Sequence, residues 1–175
     1  MMMMMMTMKA LLALVPLLFC CALSAAFPRP PRSPPLHSSD TWNNLVTMAK
    51  DAQALDRDHE TRLIPVIPSE KMKDGNMCCV NAKILDYYLN HILPEVNESY
   101  SRIHQVKHEL LRVSRDLEPH CTSLLVDLEH YQSFTENLER AGEMYKSKAT
   151  AYNKAIGESD ILFHYLYETC KPLKL

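Results

Sequence analysis

IHQVKHELLRVSRDL, the stretch from Ile103 to Leu117, is the part of the 175-residue sequence that indicates the fold most directly. Its apolar residues recur at steps of three and four, the spacing that puts them on one face of an α-helix. These residues are Ile103, Val106, Leu110, Val113 and Leu117. Most other positions are charged or polar, so we predict an amphipathic helix over residues 98–117 that buries one stripe.

Helical spacing continues on both sides of this stretch. We expect a first helix with Asp40 as its N-cap, because Asp is a preferred capping residue. Its apolar positions are Trp42, Leu45, Val46, Ala49 and Ala52. Further helices are predicted over residues 79–93, from Cys121 onward after a break at Pro119, and over residues 151–169.

The segment between the first two predicted helices is apolar but not helical. In Arg62-Leu63-Ile64-Pro65-Val66-Ile67-Pro68 two prolines disfavour a helix and favour extended backbone. We therefore predict that residues 62–68 lie along the helices as a strap within a longer link.

The composition supports an all-α fold and excludes several classes of function. Three glycines are too few for the phosphate-binding loops of nucleotide enzymes or for the turns of a β-sandwich. A formal charge of −2 gives no general field for holding nucleic acid. With several helices, short links and no convincing alternating strand, the sequence predicts one domain built as an antiparallel helical bundle.

The N-terminal region is typical of a secreted protein. Lys9 precedes the apolar stretch Ala10 to Leu23, and small residues follow up to Ala26, so we predict a signal peptide over residues 1–26. The apolar stretch is too short to span a bilayer, and we expect no membrane insertion. Five prolines in residues 27–38 predict a flexible leader, and residues 39–175 then form the helical domain.

Four cysteines remain after removal of the signal peptide, and secretion favours disulfides between them. They are Cys78, Cys79, Cys121 and Cys170. Adjacent cysteines rarely bond each other, so Cys78 and Cys79 should each reach a different distant partner. Asn97-Glu98-Ser99 is the only N-x-S/T site, and we predict that Asn97 carries sugar.

Patterns that support catalysis are weak in this sequence. His104 and His108 have the spacing of a zincin helix, but Gln105 stands where that motif needs its Glu base. His120 beside Cys121 is better explained by a disulfide than by a thiol nucleophile. We therefore predict that the protein is not an enzyme and uses no cofactor and no metal.

One position favours a surface that binds another protein. Gly157 lies within the last predicted helix, where Gly costs about 1 kcal/mol relative to Ala. Either a neighbouring helix approaches closely, or the bare backbone between Lys154 and Glu158 receives a partner's aromatic side chain. Ile161 and Tyr165 would project from the same side as Lys154 and Glu158 and form an exposed apolar patch edged by charge, unless helical drift buries them.

Three blocks of sequence resemble one protein family. NKAIGESDILF (Asn153 to Phe163) resembles the last-helix signature of the interleukin-10 family of class II helical cytokines, commonly written KAIGELDLLF or KAIGELDILL. TMAKDAQALDRDHETRLI (Thr47 to Ile64) is similar to the first helix and following loop of the interleukin-22 branch. CCVNAKILDYYLNHILPE (Cys78 to Glu95) is similar to the family's third helix. Together the blocks span most of residues 42–170.

The resemblance implies a six-helix bundle that acts as a secreted cytokine. Such a cytokine joins two class II receptor chains and triggers Janus kinase and STAT signalling, here in epithelial defence and inflammation. The implied partners are the interleukin-22 receptor alpha-1 chain and the interleukin-10 receptor beta chain, with a soluble decoy receptor as a further candidate. A monomer is expected, and the intertwined dimer found in the family is the alternative.

The resemblance also assigns roles to individual residues. In the interleukin-22 branch the high-affinity chain is held by the loop after the first helix together with the last helix. Carried over by position, the receptor-binding residues are Asp56, Glu60, Arg62, Lys154, Gly157 and Glu158. The second chain would meet the first helix and the helix at 98–117, with Asn43 as the contact carried over. The implied disulfides are Cys78–Cys170 and, for the remaining pair, Cys79–Cys121.

Departures from the family pattern leave alternatives open. Ser159 and His164 stand where the signature has Leu and Met, and His59 stands where the branch has Thr. An interleukin-20 or interleukin-26 type of cytokine is therefore an alternative. A membrane-active host-defence protein is another, although removal of Lys9 leaves 18 basic against 21 acidic residues, which does not favour anionic membranes.

Overall fold

The computed structural model describes residues 33–96, 100–122 and 128–170. Within these ranges six α-helices and no β-strand are present, which confirms the predicted all-α bundle. The helices are α1 (Ser39–Leu55), α2 (Gly75–Tyr87), α3 (Ile103–Cys121), α4 (Glu129–Tyr145), α5 (Lys148–Gly157) and α6 (Ser159–Thr169). A π-helical turn, Tyr88–Ile92, extends α2, and short 3-10 turns cover Pro34–His37 and Lys71–Lys73.

The core forms where the helices bury the stripes that the sequence predicts. All five apolar residues of the α3 stripe are buried, and α3 packs against both α1 and α2. α2 also contacts α4 and α6, whereas α1 contacts α5 and α6. The predicted strap is not helical, as expected: it bends at Leu63 and Ile64, which are buried together with Ile67, whereas Val66 is exposed.

The end of the proline-rich leader is ordered, so the predicted flexibility is wrong for residues 33–38. Pro34–His37 form a 3-10 turn in which Leu36 is buried, because proline fits the first positions of a helix and the leucine finds apolar neighbours. The Ser33 hydroxyl donates to Asp116 Oδ2 (2.8 Å), and Trp42 Nε1 donates to the Leu36 carbonyl (3.0 Å). These contacts fix the chain before α1.

The starts of α1 and α2 differ from the prediction because other residues supply the caps, and α3 begins at Ile103 instead of Glu98. Ser38, rather than Asp40, caps α1: its side chain accepts from the Thr41 N–H, and Asp40 lies in the first turn. α2 begins at Gly75, before the predicted Cys79, because the Asp74 carboxylate caps it through the Asn76 N–H.

The predicted break at Pro119 is wrong, and α3 continues to Cys121. Proline removes one hydrogen bond, to the carbonyl four residues earlier, and in the last turn of a helix no later bond depends on it. That carbonyl belongs to Arg115, an exposed residue that water can reach. Cys121 therefore ends a helix and does not open one; α4 begins at Glu129.

The last predicted helix is two helices. α5 begins after Ser147, whose side chain caps it through the Thr150 N–H, and it ends at Gly157. Glu158 leaves helical geometry at φ −98° and ψ 6°, and α6 follows directly at Ser159. Gly157 is thus the last residue of a helix and does not lie in its interior.

Both disulfides that the family resemblance implies are present. Cys78 bonds Cys170 with a Cα–Cα distance of 4.8 Å, and Cys79 bonds Cys121 with a Cα–Cα distance of 5.2 Å. The first bond joins α2 to the end of α6, and the second joins α2 to the end of α3. Consecutive residues of a helix point in different directions, so the adjacent cysteines connect α2 to two different neighbouring helices.

Some predictions fall outside the described residues. The signal peptide, residues 1–26, and the glycosylation site at Asn97 are among them. In the part of the chain that the structure describes, no helix combines the length and the apolar character needed to cross a membrane.

Candidate functional site

Residues 56–67, which include all of the strap except Pro68, lie between α4 on one side and α5 with α6 on the other. From α4, Asn137 Nδ2 donates to the Leu63 carbonyl (3.1 Å) and the Tyr145 hydroxyl donates to Asp58 Oδ2 (2.7 Å). From the other side, side chains of α5, α6 and the residue between them bind the same segment. Hydrogen bonds from both sides therefore hold this segment, residues 56–67, which we name the held loop.

Lys154 on α5 binds the beginning of the held loop. Its Nζ donates to Asp56 Oδ2 at 2.8 Å and to the Asp58 carbonyl at 2.6 Å. The Lys154 side chain is 5% exposed and the Asp56 side chain 14%, so water screens this ion pair poorly. The structure thus brings two predicted site residues together, as partners of each other.

Glu158, between α5 and α6, binds the middle of the held loop. Its carboxylate accepts from the Leu63 N–H, at 3.0 Å to each oxygen, and from the Ile64 N–H at 2.8 Å. Burial raises the pKa of this carboxyl, against the N–H donors and Lys154, which favour its charged form. Glu158 satisfies two buried backbone donors that the strap, which is neither helix nor strand, would otherwise leave unpaired.

Gly157 is covered by Gln53 from α1. Gln53 Nε2 donates to the Gly157 carbonyl at 2.6 Å, and a Cβ built on Gly157 would lie 3.2 Å from Gln53 Cγ. Of the two explanations for this glycine, close approach of a neighbouring helix is therefore the one that the structure supports. In the free protein its backbone is not open to a partner's aromatic side chain.

Arg62 and Glu60 are the predicted site residues that face solvent on the held loop. Arg62 Nε donates to the Ile64 carbonyl at 2.8 Å, and its Nη2 donates to the Tyr165 hydroxyl at 3.0 Å. Tyr165 is buried, and Ile161 is half-buried, so only Ile161 retains part of the exposed apolar surface predicted for this side. Arg62 is exposed but fixed in direction.

Asn43 lies near the end of α1 that is opposite to the start of the held loop. It is exposed on α1, twelve residues before Leu55, where the held loop leaves the helix. At 1.5 Å per residue the two points are about 18 Å apart along the axis. Asn43 is therefore distant from Asp56 at the start of the held loop, although its neighbour Trp42 lines one surface hollow together with Arg62.

Asp58 and Tyr145 belong to the cluster, although sequence reasoning did not select them. Asp58 Oδ1 accepts from the N–H groups of Glu60 and Thr61, each at 3.0 Å, while its Oδ2 binds Tyr145. Hydrogen bonds from Thr61 and Tyr145 hold the pKa of Asp58 well below its ordinary value, whereas burial and this carboxylate raise the pKa of Tyr145 to about 12. The only indication in the sequence was an Asp followed by polar residues after a predicted helix. This pattern is common in turns, so it does not single out Asp58 as part of a site.

A surface hollow of about 440 Å³ opens beside Arg62, between α1 and α6. Its lining residues are Trp42, Val46, Arg62, Asp160, Ile161, His164 and Tyr165. Burial raises the pKa of Asp160 at its edge. Aromatic and aliphatic walls with a few charged groups are typical of a surface that receives side chains of another protein.

This chain is similar to proteins of one family in both sequence and structure. Residues 38–170 match the family model described as "Interleukin 22 IL-10-related T-cell-derived-inducible factor". The crystal structure of zebrafish IL-22 matches with a TM-score of 0.69 and 39% sequence identity, over 81% of this chain and 98% of that chain. Among curated proteins no similar sequence was found. The matched residues include the held loop and the junction of α5 with α6.

Proposed function

Because this chain belongs to the interleukin-22 family of cytokines, we propose that it is a secreted ligand that joins two class II cytokine receptor chains. The proposed result of joining them is Janus kinase and STAT signalling, in epithelial defence and inflammation. Proteins of this family are cytokines and are secreted, and the proposed action is binding without catalysis. The proposed route of secretion is through cleavage of residues 1–26, with sugar added at Asn97.

The proposed site for the high-affinity chain is the held loop with the α5–α6 junction. Its residues are Asp56, Glu60, Arg62, Lys154, Gly157 and Glu158. The observation that carries the proposal is the placement of exposed Glu60 and Arg62 on a loop fixed from both sides, next to the hollow that Arg62 lines. A preformed, partly apolar surface with charged groups at its edge suits a specific protein partner, because little ordering accompanies binding.

The proposed partners are the interleukin-22 receptor alpha-1 chain at this site and the interleukin-10 receptor beta chain at a second surface. The second surface would include Asn43 on α1 and the exposed face of α3. Asn43 lies about 18 Å along α1 from the beginning of the held loop, so the second surface would be centred away from Asp56 and Lys154. A soluble decoy receptor that competes for the first surface is a further proposed partner.

Binding of residues 27–175, refolded with both disulfides closed, to immobilised ectodomains of the two receptor chains tests the proposal. We expect tight binding to the alpha-1 chain alone and tighter binding when the beta chain is added. Arg62→Ala should weaken binding to the alpha-1 chain at least tenfold, because Arg is a frequent anchor at such interfaces. Arg115→Ala changes another exposed arginine, on α3, and is the matched control that should leave binding to the alpha-1 chain unchanged.

Two results would contradict the proposal. The first is binding to neither chain by helical, oxidised protein, which would redirect the search to interleukin-20-type receptors. The second is equal binding by Arg62→Ala and the wild type, which would move the site elsewhere while leaving the family membership unaffected.

A further inference from the structure

We propose that the Gln53 side chain is a displaceable cover over Gly157, which has to turn aside before the partner can bind and therefore lowers its affinity. The two explanations for Gly157 then apply to different states: α1 approaches the glycine in the free protein, and a side chain of the partner reaches it in the complex. This inference rests on the proposed function, and it adds one residue of α1 that sets the affinity of the site.

The cover over Gly157 is one side chain with one hydrogen bond to the glycine. Gly157 is buried, and the three heavy atoms nearest to a Cβ built on it all belong to Gln53. Cγ is the nearest of them at 3.2 Å, whereas the backbone N and Cα lie at the ordinary contact distances of 3.6 Å and 3.8 Å. Gln53 Nε2 donates to the Gly157 carbonyl at 2.6 Å, and this carbonyl needs such a donor because α5 ends here.

Gln53 can turn away from the glycine without movement of the helices. It is an exposed residue, so water can replace the hydrogen bond of its amide when the side chain turns outward. The α1 backbone on either side of it is fixed to α5, because Asn153 Nδ2 donates to the Ala52 carbonyl at 3.0 Å and Lys154 binds Asp56. Opening is therefore a rotation of one glutamine side chain, and α1 keeps its place.

The surface around Gly157 keeps its shape when the cover leaves. Lys154 and Glu158, on either side of the glycine in sequence, are fixed by their hydrogen bonds to the held loop. The departing amide leaves the Gly157 carbonyl without its donor, and a polar group at an interface needs a replacement. The opened surface therefore fits a side chain of the partner that carries an O–H or N–H group.

A cover of this kind changes affinity by a predictable factor. The partner binds only the molecules in which Gln53 has turned aside, so the apparent Kd rises by the inverse of their fraction. One net hydrogen bond stabilises the closed position, which corresponds to roughly a fivefold excess of closed molecules. Removal of a direct contact would have the opposite effect, because it weakens binding. The sign of the change when Gln53 is truncated therefore separates the two roles.

The test compares binding of refolded residues 27–175 to the alpha-1 ectodomain. We expect Gln53→Ala to bind about fivefold more tightly than the wild type. Gln105→Ala changes an exposed glutamine on α3 and is the matched control that should leave this binding unchanged. Gln53→Ala/Gly157→Leu puts a side chain back into the vacated space, and it should bind about tenfold more weakly than Gln53→Ala. Circular dichroism compares the folding of all variants.

The position of Gln53 in the complex is measured from its side-chain amide signals in proton–nitrogen NMR spectra. Gln53→Ala identifies these signals by their absence. Saturation with the alpha-1 ectodomain should move them toward the positions of a glutamine amide in water, because the hydrogen bond to the Gly157 carbonyl is lost. The signals of Gln105 should not move.

Three results would overturn the inference. They are binding by Gln53→Ala that is no tighter than that of the wild type, equal affinity of Gln53→Ala and a folded Gln53→Ala/Gly157→Leu, and Gln53 amide signals that stay in place while the protein binds. Binding by neither the wild type nor Gln53→Ala would instead refute the proposed partner, and the inference with it. Binding by Gln53→Ala alone would support the inference, because the cover would then be what prevents the wild type from binding.

Discussion

Lys154 and Asp56 form an ion pair of 2.8 Å across 98 residues of sequence, with both side chains largely buried. The pair joins α5 to the point where the chain leaves α1. It therefore fixes the start of the held loop as well as the packing of α1 against α5, and its energetics can be tested independently of any receptor.

Lys154→Met should destabilise the protein by about 2–3 kcal/mol. Removing one partner of a buried ion pair leaves the other charge without compensation. The expected loss of stability is smaller than for a fully buried pair, because Asp56 retains some contact with water. In Lys154→Met/Asp56→Leu the unpaired charge is gone, so the double variant should lose less stability than the two single variants added together. Urea unfolding of all four proteins measures the coupling. Strict additivity would contradict a coupled pair.

Gly157→Ala should change stability by less than about 1 kcal/mol, because two effects oppose each other. Alanine favours helix, but its Cβ would lie 3.2 Å from Gln53 Cγ and must push that side chain aside. In a Gln53→Ala background this obstacle is absent, and Gly157→Ala should then stabilise the protein. Thermal unfolding of the four proteins tests this. An equal effect of Gly157→Ala in both backgrounds would show that Gln53 is not the constraint.

The two disulfides should differ in their resistance to reduction. Cys78 and Cys170 are both buried, whereas Cys121 is half-buried at the end of α3. A reducing thiolate reaches an accessible sulfur faster, so mild reduction should open Cys79–Cys121 first. Mass spectrometry of alkylated protein over time measures the order. Cys79→Ala/Cys121→Ala should lose about 4 kcal/mol or less, the chain-entropy value for a loop of this size, and first opening of Cys78–Cys170 would contradict the prediction.

The sequence predicts the parts of this structure that depend on local pattern. The α3 stripe and the non-helical strap can be predicted because helical spacing and proline act over a short range of sequence. That all four cysteines form disulfides follows from the predicted secretion. The family resemblance locates Lys154 and Glu158, but a charged residue on a helix looks the same in sequence whether it faces water or a buried N–H group. Their burial depends on the held loop, whose residues that bind them lie 94 to 98 positions away in sequence.

The pair of Asp58 and Tyr145 is missed for the same reason. Its two residues are 87 positions apart, and each has an ordinary local explanation: a turn after α1 for the first and the end of α4 for the second. Helix ends were predicted less well than helices, because caps such as Ser38 and the break at Glu158 depend on single side chains. Tertiary contacts determine the Asp58–Tyr145 pair and the helix ends, and hydrophobic periodicity carries no information about such contacts.

Asp58→Asn should lower the melting temperature at neutral pH by about 4 °C, roughly one net hydrogen bond in a domain of this size. Because folding lowers the pKa of Asp58 below 3.8, the folded protein binds this proton less tightly than the unfolded chain. The contribution of Asp58 is therefore complete well above pH 3.8 and is lost as the pH falls below that value. Asparagine does not titrate, so the difference between the two proteins should shrink in acid.

Burial shifts Glu158 and Asp160 in the opposite direction, and their raised pKa values make stability fall as the pH rises through them. Both groups are present in wild type and Asp58→Asn, so their contributions cancel in the difference. Melting curves by circular dichroism from pH 2.5 to pH 7 measure it, with Asp74→Asn, which alters the cap of α2, as a variant outside the held loop. A difference between wild type and Asp58→Asn that stays constant down to pH 2.5 would show that the Asp58 carboxylate does not hold its proton more weakly in the folded state.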